Sequence, residues 1–378
     1  MPHFKSLTLT AFRNYELASL DKLGNNFIVL TGANGSGKTN ILEALSLFAP
    51  GRGLRKSPLD VMQNNEIAQP SWAVSTRIAS DYGEIPMGVG YDQNSGRRIT
   101  RIKGKDVRAQ SELSEYISLL WLTPQMDGLF LDSGSERRRF FDRMIFTSFD
   151  GAHAGRLTRY ENAMRQRNKL LQDDEFNDTW IDSLELDMAE TGVAIAASRL
   201  DFIYRLNGAS RKFAETGLLK SFPMGEFTAF GYLENKLAER HSAVSCEEQF
   251  LTLLRDSRRI DAKRGGTSDG PHKTDFKVQH LKKNMAASQC STGEQKALLT
   301  GIVLAYAQMV REEKNIMPVL LLDEIAAHYD KDRRAELFAL LYAMGGQVWI
   351  TGTDQEIFIN AAPETQFFTI EKGKIKQQ

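Results

Sequence analysis

Eight consecutive residues near the N-terminus have the types and the spacing that bind a nucleoside triphosphate. Glycines let successive backbone N–H groups point at a phosphate, a lysine ammonium reaches the β- and γ-phosphates, and a threonine hydroxyl is a ligand for Mg²⁺. The segment therefore predicts an ATP site, with Thr39 also binding Mg²⁺. A glycine-rich turn that holds a Lys-Thr pair by chance is the alternative. The segment matches G-x-x-x-x-G-K-[ST] and consists of Gly32, Ala33, Asn34, Gly35, Ser36, Gly37, Lys38 and Thr39.

The segments on both sides of this loop have the character that such a site requires. Residues 26–31 are a short apolar run that predicts a buried strand, and residues 40–48 carry apolar side chains at helical spacing. Strand, glycine loop and helix form the context in which the motif binds phosphate. The flanks therefore favour the nucleotide site over the chance turn.

A second group of chemically capable residues lies near the other end of the chain. The apolar run 318–322 ends in Asp323 and Glu324, and before it Ser291 and Gly293 lie in a small-residue turn that opens an apolar helix. This order of motifs is the layout of ATP-binding-cassette ATPases, in which the Ser-Gly turn contacts the γ-phosphate held by a second subunit. By this assignment Asp323 binds Mg²⁺, Glu324 is the catalytic base for the attacking water, and Ser291 and Gly293 bind nucleotide. A strand end that leads into a solvated turn is the alternative.

Composition limits the class of protein. The 378 residues are 42% hydrophobic and 25% charged, as in ordinary globular proteins, and 48 basic residues balance 48 acidic ones. A nucleic-acid partner must therefore bind a local basic patch. Cys246 and Cys290 have no paired spacing, so neither a zinc site nor a disulfide framework is indicated. Without a signal-peptide pattern or an 18-residue apolar run, we expect a soluble cytoplasmic protein with no membrane partner.

The texture of the sequence predicts an α/β fold with an insertion. The first 130 or so residues are strand-rich and include an antiparallel meander, residues 136 to about 211 and 233–255 have helical patterns, and α/β texture returns after the polar loop 263–271. We therefore predict an ATP-binding-cassette-like ATPase head lobe formed by both chain ends, with an inserted, mainly helical second lobe. No heptad run is long enough for a long coiled coil. The predicted boundaries are 1–135 and 271–378 for the head lobe and 136–270 for the insertion.

Three clusters of basic residues are candidates for DNA binding. Each could equally be a solvated face paired with nearby acids. No base-reading motif is present, so binding would follow DNA shape and backbone. Within the second cluster, Phe140 and Phe141 could stack on bases, but adjacent aromatics on a helix point in different directions, so at least one is expected in the core. The clusters are Arg97, Arg98, Arg101, Lys103, Lys105 and Arg108; Arg137, Arg138, Arg139 and Arg143; and Arg255, Arg258, Arg259, Lys263 and Arg264.

Several longer motifs make the sequence resemble the RecF family of bacterial recombination mediators. They occur in order over nearly the whole chain, and the F-R-N-Y, R-R-R-F and G-P-H motifs are more specific than the phosphate loop. The matching segments are Phe12–Tyr15, Gly32–Ala44, Glu136–Asp142, Gly270–Phe276, Ser291–Lys296, Leu322–Ile325 and Ile350–Asp354.

The resemblance implies an ATPase head similar to structural-maintenance-of-chromosomes proteins. Such a protein would dimerise on ATP, bind DNA at single-strand gaps or junctions, and help load recombinase with RecO and RecR. A weak, DNA-stimulated ATPase activity would act as the release switch. The F-R-N-Y motif implies that Arg13 lies near the nucleotide, although a salt bridge at a strand end is the alternative.

The sequence departs from the family pattern in three places. Where the family usually has a glutamate-aspartate pair after Pro124, this chain has Gln125, a candidate for the glutamine that contacts Mg²⁺ and the nucleophile. After Glu324 the family typically shows Ala-Glu-Leu-Asp, and this chain ends the turn with Tyr329 and Asp330, of which the aspartate still fits a dimer contact. Residues 351–354 lack the switch histidine of transporter ATPases, which favours slow hydrolysis.

Two other classes of protein share parts of this pattern. An ATPase subunit of another cassette system, such as a transporter, is disfavoured by the long insertion and the missing histidine. A metabolic phosphate-loop kinase would not need the turn at Ser291, and no acceptor-substrate site is apparent.

Overall fold

The computed structural model describes residues 1–67, 71–81, 83–107, 109–172, 178–215, 220–358 and 361–378, so Arg108 of the first basic cluster lies outside the described residues. The chain forms two compact units. The head unit comprises Met1–Asp127, Phe213–Pro223 and Thr292–Gln378, and the insert unit comprises Gly128–Lys212 and Met224–Ser291.

These boundaries differ from the predicted ones in three ways. Residues 128–135, at the end of the first predicted head segment, lie in the insert unit. Residues 271–291, which we expected in the head, belong to the insert unit. The reason is strand pairing, since Asp275–His280 pairs with Gly225–Phe230 inside the insertion. Conversely, Phe213–Pro223 lies in the middle of the predicted insertion and belongs to the head unit.

A six-stranded sheet forms the centre of the head unit. Five of its strands are parallel, and β15 is antiparallel at one edge. Strands β3, β13 and β12 in the middle of the sheet and β8 at its other edge are buried along their whole length, as expected for apolar runs covered on both faces. In spatial order the strands are β15 (Lys374–Gln377), β14 (Gln366–Glu371), β3 (Phe27–Thr31), β13 (Val348–Gly352), β12 (Val319–Leu322) and β8 (Leu119–Leu122).

A second, antiparallel sheet shares the core of the head unit. Its strands alternate buried and exposed residues, which confirms the predicted meander. Phe4 of the first strand contacts Trp349 of the parallel sheet edge to face, with ring centroids 6.4 Å apart. The strands, in spatial order, are β2 (Tyr15–Leu20), β1 (His3–Phe12), β4 (Ser71–Ser80), β5 (Gly83–Asp92), β6 (Arg97–Ile102) and β7 (Lys105–Asp106). The head helices are α1 (Lys38–Ser46), α7 (Thr292–Lys314) and α8 (Lys331–Met344).

The insert unit is mainly helical and carries a small antiparallel sheet that the sequence did not indicate. The predicted single helix over 233–255 is two helices, because the chain turns at Glu239–Ser242 and the Ser242 hydroxyl accepts the N–H of Ser245 to start a new helix. The elements are α2 (Gly134–Met144), α3 (His153–Leu170), α4 (Asp178–Glu215), α5 (Tyr232–Ala238), α6 (Ala243–Arg264), β9 (Gly225–Phe230), β10 (Asp275–His280) and β11 (Met285–Ala286).

Among the described residues, none of these helices combines the length and the apolar character needed to cross a membrane.

Candidate functional site

The loop between β3 and α1 has a backbone that requires glycine at two positions. Gly32 has a φ of +146° and Gly37 a φ of +117°. A Cβ added at Gly32 would lie 2.3 Å from the carbonyl oxygen of Ile370, and one at Gly37 would lie 2.6 Å from Nδ2 of Asn14. The loop is therefore closed tightly against its neighbours on one side, while residues 33–35 are exposed.

Lys38 is buried inside this loop. Its Nζ donates to the carbonyl oxygens of Gly32 at 2.7 Å and Ala33 at 3.0 Å. Burial lowers the pKa of Lys38, and the nearby carboxylates of Glu324 and Asp323 oppose that shift. A lysine ammonium has three donors, so a cation held only by two carbonyls has capacity for a phosphate oxygen. The loop fits a phosphate group.

Thr39 and Asp323, which come from opposite ends of the chain, are in direct contact. The Thr39 hydroxyl donates to Oδ1 and Oδ2 of Asp323 at 3.0 and 3.1 Å, and the Thr351 hydroxyl donates to Oδ1 at 2.7 Å. Burial raises the pKa of Asp323, while the hydrogen bonds from the two hydroxyls act in the opposite direction. Hydroxyl and carboxylate oxygens are ligands that Mg²⁺ prefers. Two of the three residues predicted to bind the metal are thus adjacent.

The described residues contain no cluster of three or more His, Cys, Asp or Glu side chains suited to a metal ion. Mg²⁺ commonly keeps several waters and is bound by one or two carboxylates together with substrate phosphates. One carboxylate and one hydroxyl beside a phosphate loop fit that type of ion.

Glu324 has an unusual backbone conformation beside this pair. Its φ is +53°, a region that non-glycine residues seldom occupy. The hydroxyl of Thr351 accepts its N–H at 2.8 Å, and the N–H of Asp323 donates to the carbonyl of Leu122 at 2.9 Å. The backbone of the carboxylate pair is thereby fixed. Catalysis by Glu324 stays a prediction.

Gln125 lies in a turn at the same edge of the sheet. Strand β8 is parallel to β12 with Leu122 opposite Leu322, so the turn Pro124–Met126 follows its strand just where Asp323 follows its own. The Gln125 side chain is exposed. A contact of Gln125 with Mg²⁺ stays a prediction.

Ser291 and Gly293 lie at the start of α7, and both are exposed. A Cβ at Gly293 would meet no atom within 4 Å. The turn therefore offers an open backbone at the beginning of a 23-residue helix. Binding of a partner subunit's nucleotide by this turn stays a prediction.

Arg13 forms the salt bridge that was the alternative to a nucleotide contact. Its guanidinium donates to both carboxylate oxygens of Glu43 at 2.9 and 2.7 Å, to the Ser57 hydroxyl at 2.7 Å and to the Val61 carbonyl at 2.8 Å. The Glu43 side chain is fully buried and belongs to α1. Arg13 thus holds the helix that follows the phosphate loop.

The next two residues of the F-R-N-Y motif support the phosphate loop itself, which sequence reasoning missed. Asn14 donates from Nδ2 to the Ser36 carbonyl at 3.0 Å, and the Tyr15 hydroxyl donates to the Gly37 carbonyl at 3.0 Å. Asn40 donates to Oδ1 of Asn14 at 2.7 Å. The F-R-N-Y motif could have indicated this role, because its polar residues directly follow the alternating strand β1.

The G-P-H motif is buried in the insert unit. The Arg199 guanidinium donates to the Pro271 carbonyl at 2.7 Å, and His272 donates from Nε2 to the Thr267 carbonyl at 3.0 Å. Burial lowers the pKa of His272 to about 4, so the ring is neutral at pH 7 and its Nδ1 accepts the Tyr160 hydroxyl at 2.9 Å. These contacts fix the loop that joins α6 to β10 and give the motif a structural role.

Most residues of the basic clusters form ion pairs or hydrogen bonds with other residues of this chain, or are buried. In the second cluster, Arg137 pairs with Asp275 at 2.7 Å, Arg138 donates to the Thr274 carbonyl, Arg139 pairs with Glu136 and Arg143 is buried. In the others, Arg98 donates to the carbonyls of Gly51 and Leu47, Arg101 pairs with Asp106, Arg255 pairs with Asp182, and Arg258 pairs with Asp182 and Glu185. Phe140 and Phe141 are both buried, which excludes stacking on bases.

A smaller set of basic residues is exposed and has no acidic partner within the described ranges. From the three clusters it comprises Arg97, Lys103 and Lys105 in the head unit and Arg259, Lys263 and Arg264 in the insert unit. Arg259 and Lys263 are four residues apart on α6, so they lie on one face of that helix.

The sequence matches known proteins over nearly its whole length. The model of the RecF/RecN/SMC N-terminal domain matches residues 3–376. The DNA replication and repair protein RecF of Agrobacterium fabrum is 43% identical over 98% of this chain and 97% of its own length, and that of Brucella suis is 43% identical over 98% and 95%.

The fold also matches solved structures. The recombination mediator protein RecF-ATPrS of the RecFOR pathway superposes with a TM-score of 0.86 at 22% identity, covering 100% of this chain and 98% of that one. An Smc head domain from Pyrococcus furiosus gives a TM-score of 0.54 at 17% identity, covering 100% and 96%. These structures share the fold of this chain, and the full-length sequence matches show that it belongs to the RecF family.

Proposed function

We propose that this chain is an ATP-dependent DNA-binding protein of recombinational repair and replication. The observation that carries the proposal is the contact of Thr39 with Asp323 beside the buried Lys38, which joins both ends of the chain into one phosphate- and metal-binding edge. The names of its relatives, DNA replication and repair protein RecF, and the structural match to RecF-ATPrS support the assignment. Family membership also favours this function over the transporter and kinase alternatives.

Each residue of the site has a distinct role in this proposal. Lys38 and the amides of Gly32–Thr39 bind the phosphates of ATP, and the oxygens of Thr39 and Asp323 hold Mg²⁺. When bound, the ion would neutralise charge that develops on the phosphates. Glu324 accepts a proton from the attacking water.

The proposed active form is an ATP-dependent homodimer. Ser291 and Gly293 are exposed at a helix start, where the helix dipole favours a phosphate brought by a second chain. ATP then joins two chains, and slow hydrolysis, stimulated by DNA, separates them. The absence of a switch histidine in residues 351–354 supports slow turnover.

The proposed DNA partner is a gapped or junction duplex that is bound without sequence preference. The residues of the Arg137–Arg143 cluster are buried or bonded to other residues of this chain. The candidates for phosphate contacts are therefore the exposed residues Arg259 and Lys263 of α6, and Arg97, Lys103 and Lys105 in and between β6 and β7. We further propose RecO and RecR as partners in loading recombinase, supported by the RecFOR pathway named for the solved relative.

A sizing experiment tests the proposal. The wild-type chain should run as a larger species with Mg-ATP than without it, and gapped DNA should shift the larger species further. Lys38→Met should abolish the nucleotide-dependent shift, because a cation and its bonds to phosphate are lost, while the thermal unfolding curve stays close to wild type. An unchanged nucleotide affinity of Lys38→Met in a direct titration would contradict the assignment.

A further inference from the structure

Tyr329 stands at the turn position where the family pattern has leucine, and its hydroxyl is bonded to α7. The side chain is 6% exposed. Its oxygen lies 2.7 Å from the Thr300 hydroxyl, and it donates to the Lys296 carbonyl at 3.2 Å. A carbonyl only accepts, so the tyrosine proton goes to Lys296 and the Thr300 hydroxyl donates to the tyrosine oxygen. A leucine could form neither bond.

The same turn of α7 is bonded to the other loop at this edge of the sheet. The Lys296 ammonium pairs with Asp127 at 2.8 Å, and Asp127 directly follows the turn that holds Gln125. Residues 296–300 therefore connect two turns, one after β8 and one after β12. The second of these turns runs from Glu324 to Asp330 and includes Tyr329.

The Tyr329 ring is held from its other side as well. Phe222 packs against it edge to face, with ring centroids 5.2 Å apart. The backbone N–H of Ser221 donates to both carboxylate oxygens of Glu336 on α8, at 3.1 and 3.2 Å. The ring is thus fixed by Phe222, whose neighbour Ser221 is bonded to α8, so the hydroxyl cannot leave α7 without disturbing this packing.

We propose that Tyr329 is a positioning residue that couples the two nucleotide sites of the dimer. The inference rests on the proposed function, in which one chain's Glu324 serves its own nucleotide and the start of its α7 serves the partner's. In that arrangement the turn Glu324–Asp330 belongs to the chain's own nucleotide site, and α7 completes the partner's site. The bonds from Tyr329 to Lys296 and Thr300 join the two. A displacement of the turn on nucleotide binding is then transmitted to the helix start at Thr292.

Tyr329→Phe tests the proposal because it removes only the hydroxyl and keeps the ring against Phe222. The wild-type ATPase should depend on ATP with a Hill coefficient above 1, and the variant should approach 1. We expect kcat to fall about three- to tenfold, since the two hydrogen bonds of the hydroxyl are lost, while ATP affinity at protein concentrations too low for dimers stays unchanged. Thr300→Val removes only one of these bonds and should give a smaller defect of the same kind, and the double variant should be no worse than Tyr329→Phe alone.

Tyr342→Phe is the matched control, because Tyr342 is 48% exposed on α8. This variant should keep the wild-type Hill coefficient and the wild-type kcat. A wild-type Hill coefficient above 1 that Tyr329→Phe leaves unchanged would overturn the coupling role alone. A wild-type chain that neither dimerises nor hydrolyses ATP would overturn the proposed function, and the coupling role with it. Additive defects in the double variant would show that the two hydroxyls act separately, which also contradicts the proposal.

Discussion

Replacing Arg13 by alanine should destabilise the head unit without removing a nucleotide ligand. The change leaves the fully buried carboxylate of Glu43 without its bidentate partner and removes two further hydrogen bonds, to Ser57 and Val61. Loss of one partner of a buried ion pair costs about 3–5 kcal/mol. Arg55, whose guanidinium lies 3.1 Å from Glu43, remains and offsets part of that loss. We therefore expect a loss of about 2–4 kcal/mol in the free energy of unfolding.

Tryptophan fluorescence during urea unfolding measures this loss in the head unit. Three of the four tryptophans, Trp72, Trp121 and Trp349, are buried in that unit, while Trp180 of the insert unit is 51% exposed. The transition midpoint therefore reports mainly on the unit that contains Arg13.

Arg101→Ala is the matched control. Arg101 forms an equally short bond, 2.7 Å, to Asp106, but both side chains are more than half exposed. Such pairs contribute about 0–1 kcal/mol, so this variant should unfold almost like wild type. Adding Glu43→Gln to Arg13→Ala should recover about 1–2 kcal/mol, because it removes a buried charge that has lost its bidentate partner and keeps only Arg55. An Arg13→Ala protein as stable as the control, but with ATP affinity lowered more than about tenfold, would show instead that Arg13 binds nucleotide.

The remaining predictions concern hydrolysis, dimerisation and DNA. Glu324→Gln keeps the shape of the side chain but removes the base, so dimers should accumulate with Mg-ATP and phosphate release should fall; wild-type turnover would place the base elsewhere. Ser291→Arg should spare ATP binding to monomers and block dimerisation and hydrolysis, and full activity that does not vary with protein concentration would refute a site shared between chains. Arg259→Ala with Lys263→Ala should reduce affinity for gapped DNA and the slope of log K against log[salt] by about 2, whereas the internally paired Arg139→Ala should leave the slope unchanged.

Local sequence predicted the parts of the site whose structure depends on the backbone conformation of consecutive residues. The loop Gly32–Thr39 and the buried strand before it are contiguous, and the loop's glycines are required by positive φ and close approach, so a short pattern contains the information. Asp323 was located by the order of motifs, because the apolar strand that it follows comes about 30 residues after the small-residue turn at Ser291.

The parts that local sequence could not predict depend on partners distant along the chain. The role of Arg13 is decided by Glu43, and the bonds of Tyr329 are decided by residues of α7; neither pairing has a local signature. The segment Phe213–Pro223 continues from a helix of the insertion, and nothing in its composition indicates that it packs with Glu336 in the head unit. Such placements follow from tertiary contacts, which override local pattern.

The position of β3 in its sheet has a consequence for biosynthesis. Both neighbours of this strand, β13 and β14, come from residues 348–371, and the carbonyl of Ile370 closes against Gly32. At a translation rate of about 5–20 residues per second, about 15–60 s pass between the synthesis of β3 and that of its first neighbouring strand. We infer that the nascent phosphate loop is unstructured throughout that interval, so ribosome-bound chains stalled before Val348 should be cleaved by protease within residues 27–39. Protection of this segment during elongation would then limit the yield of folded protein.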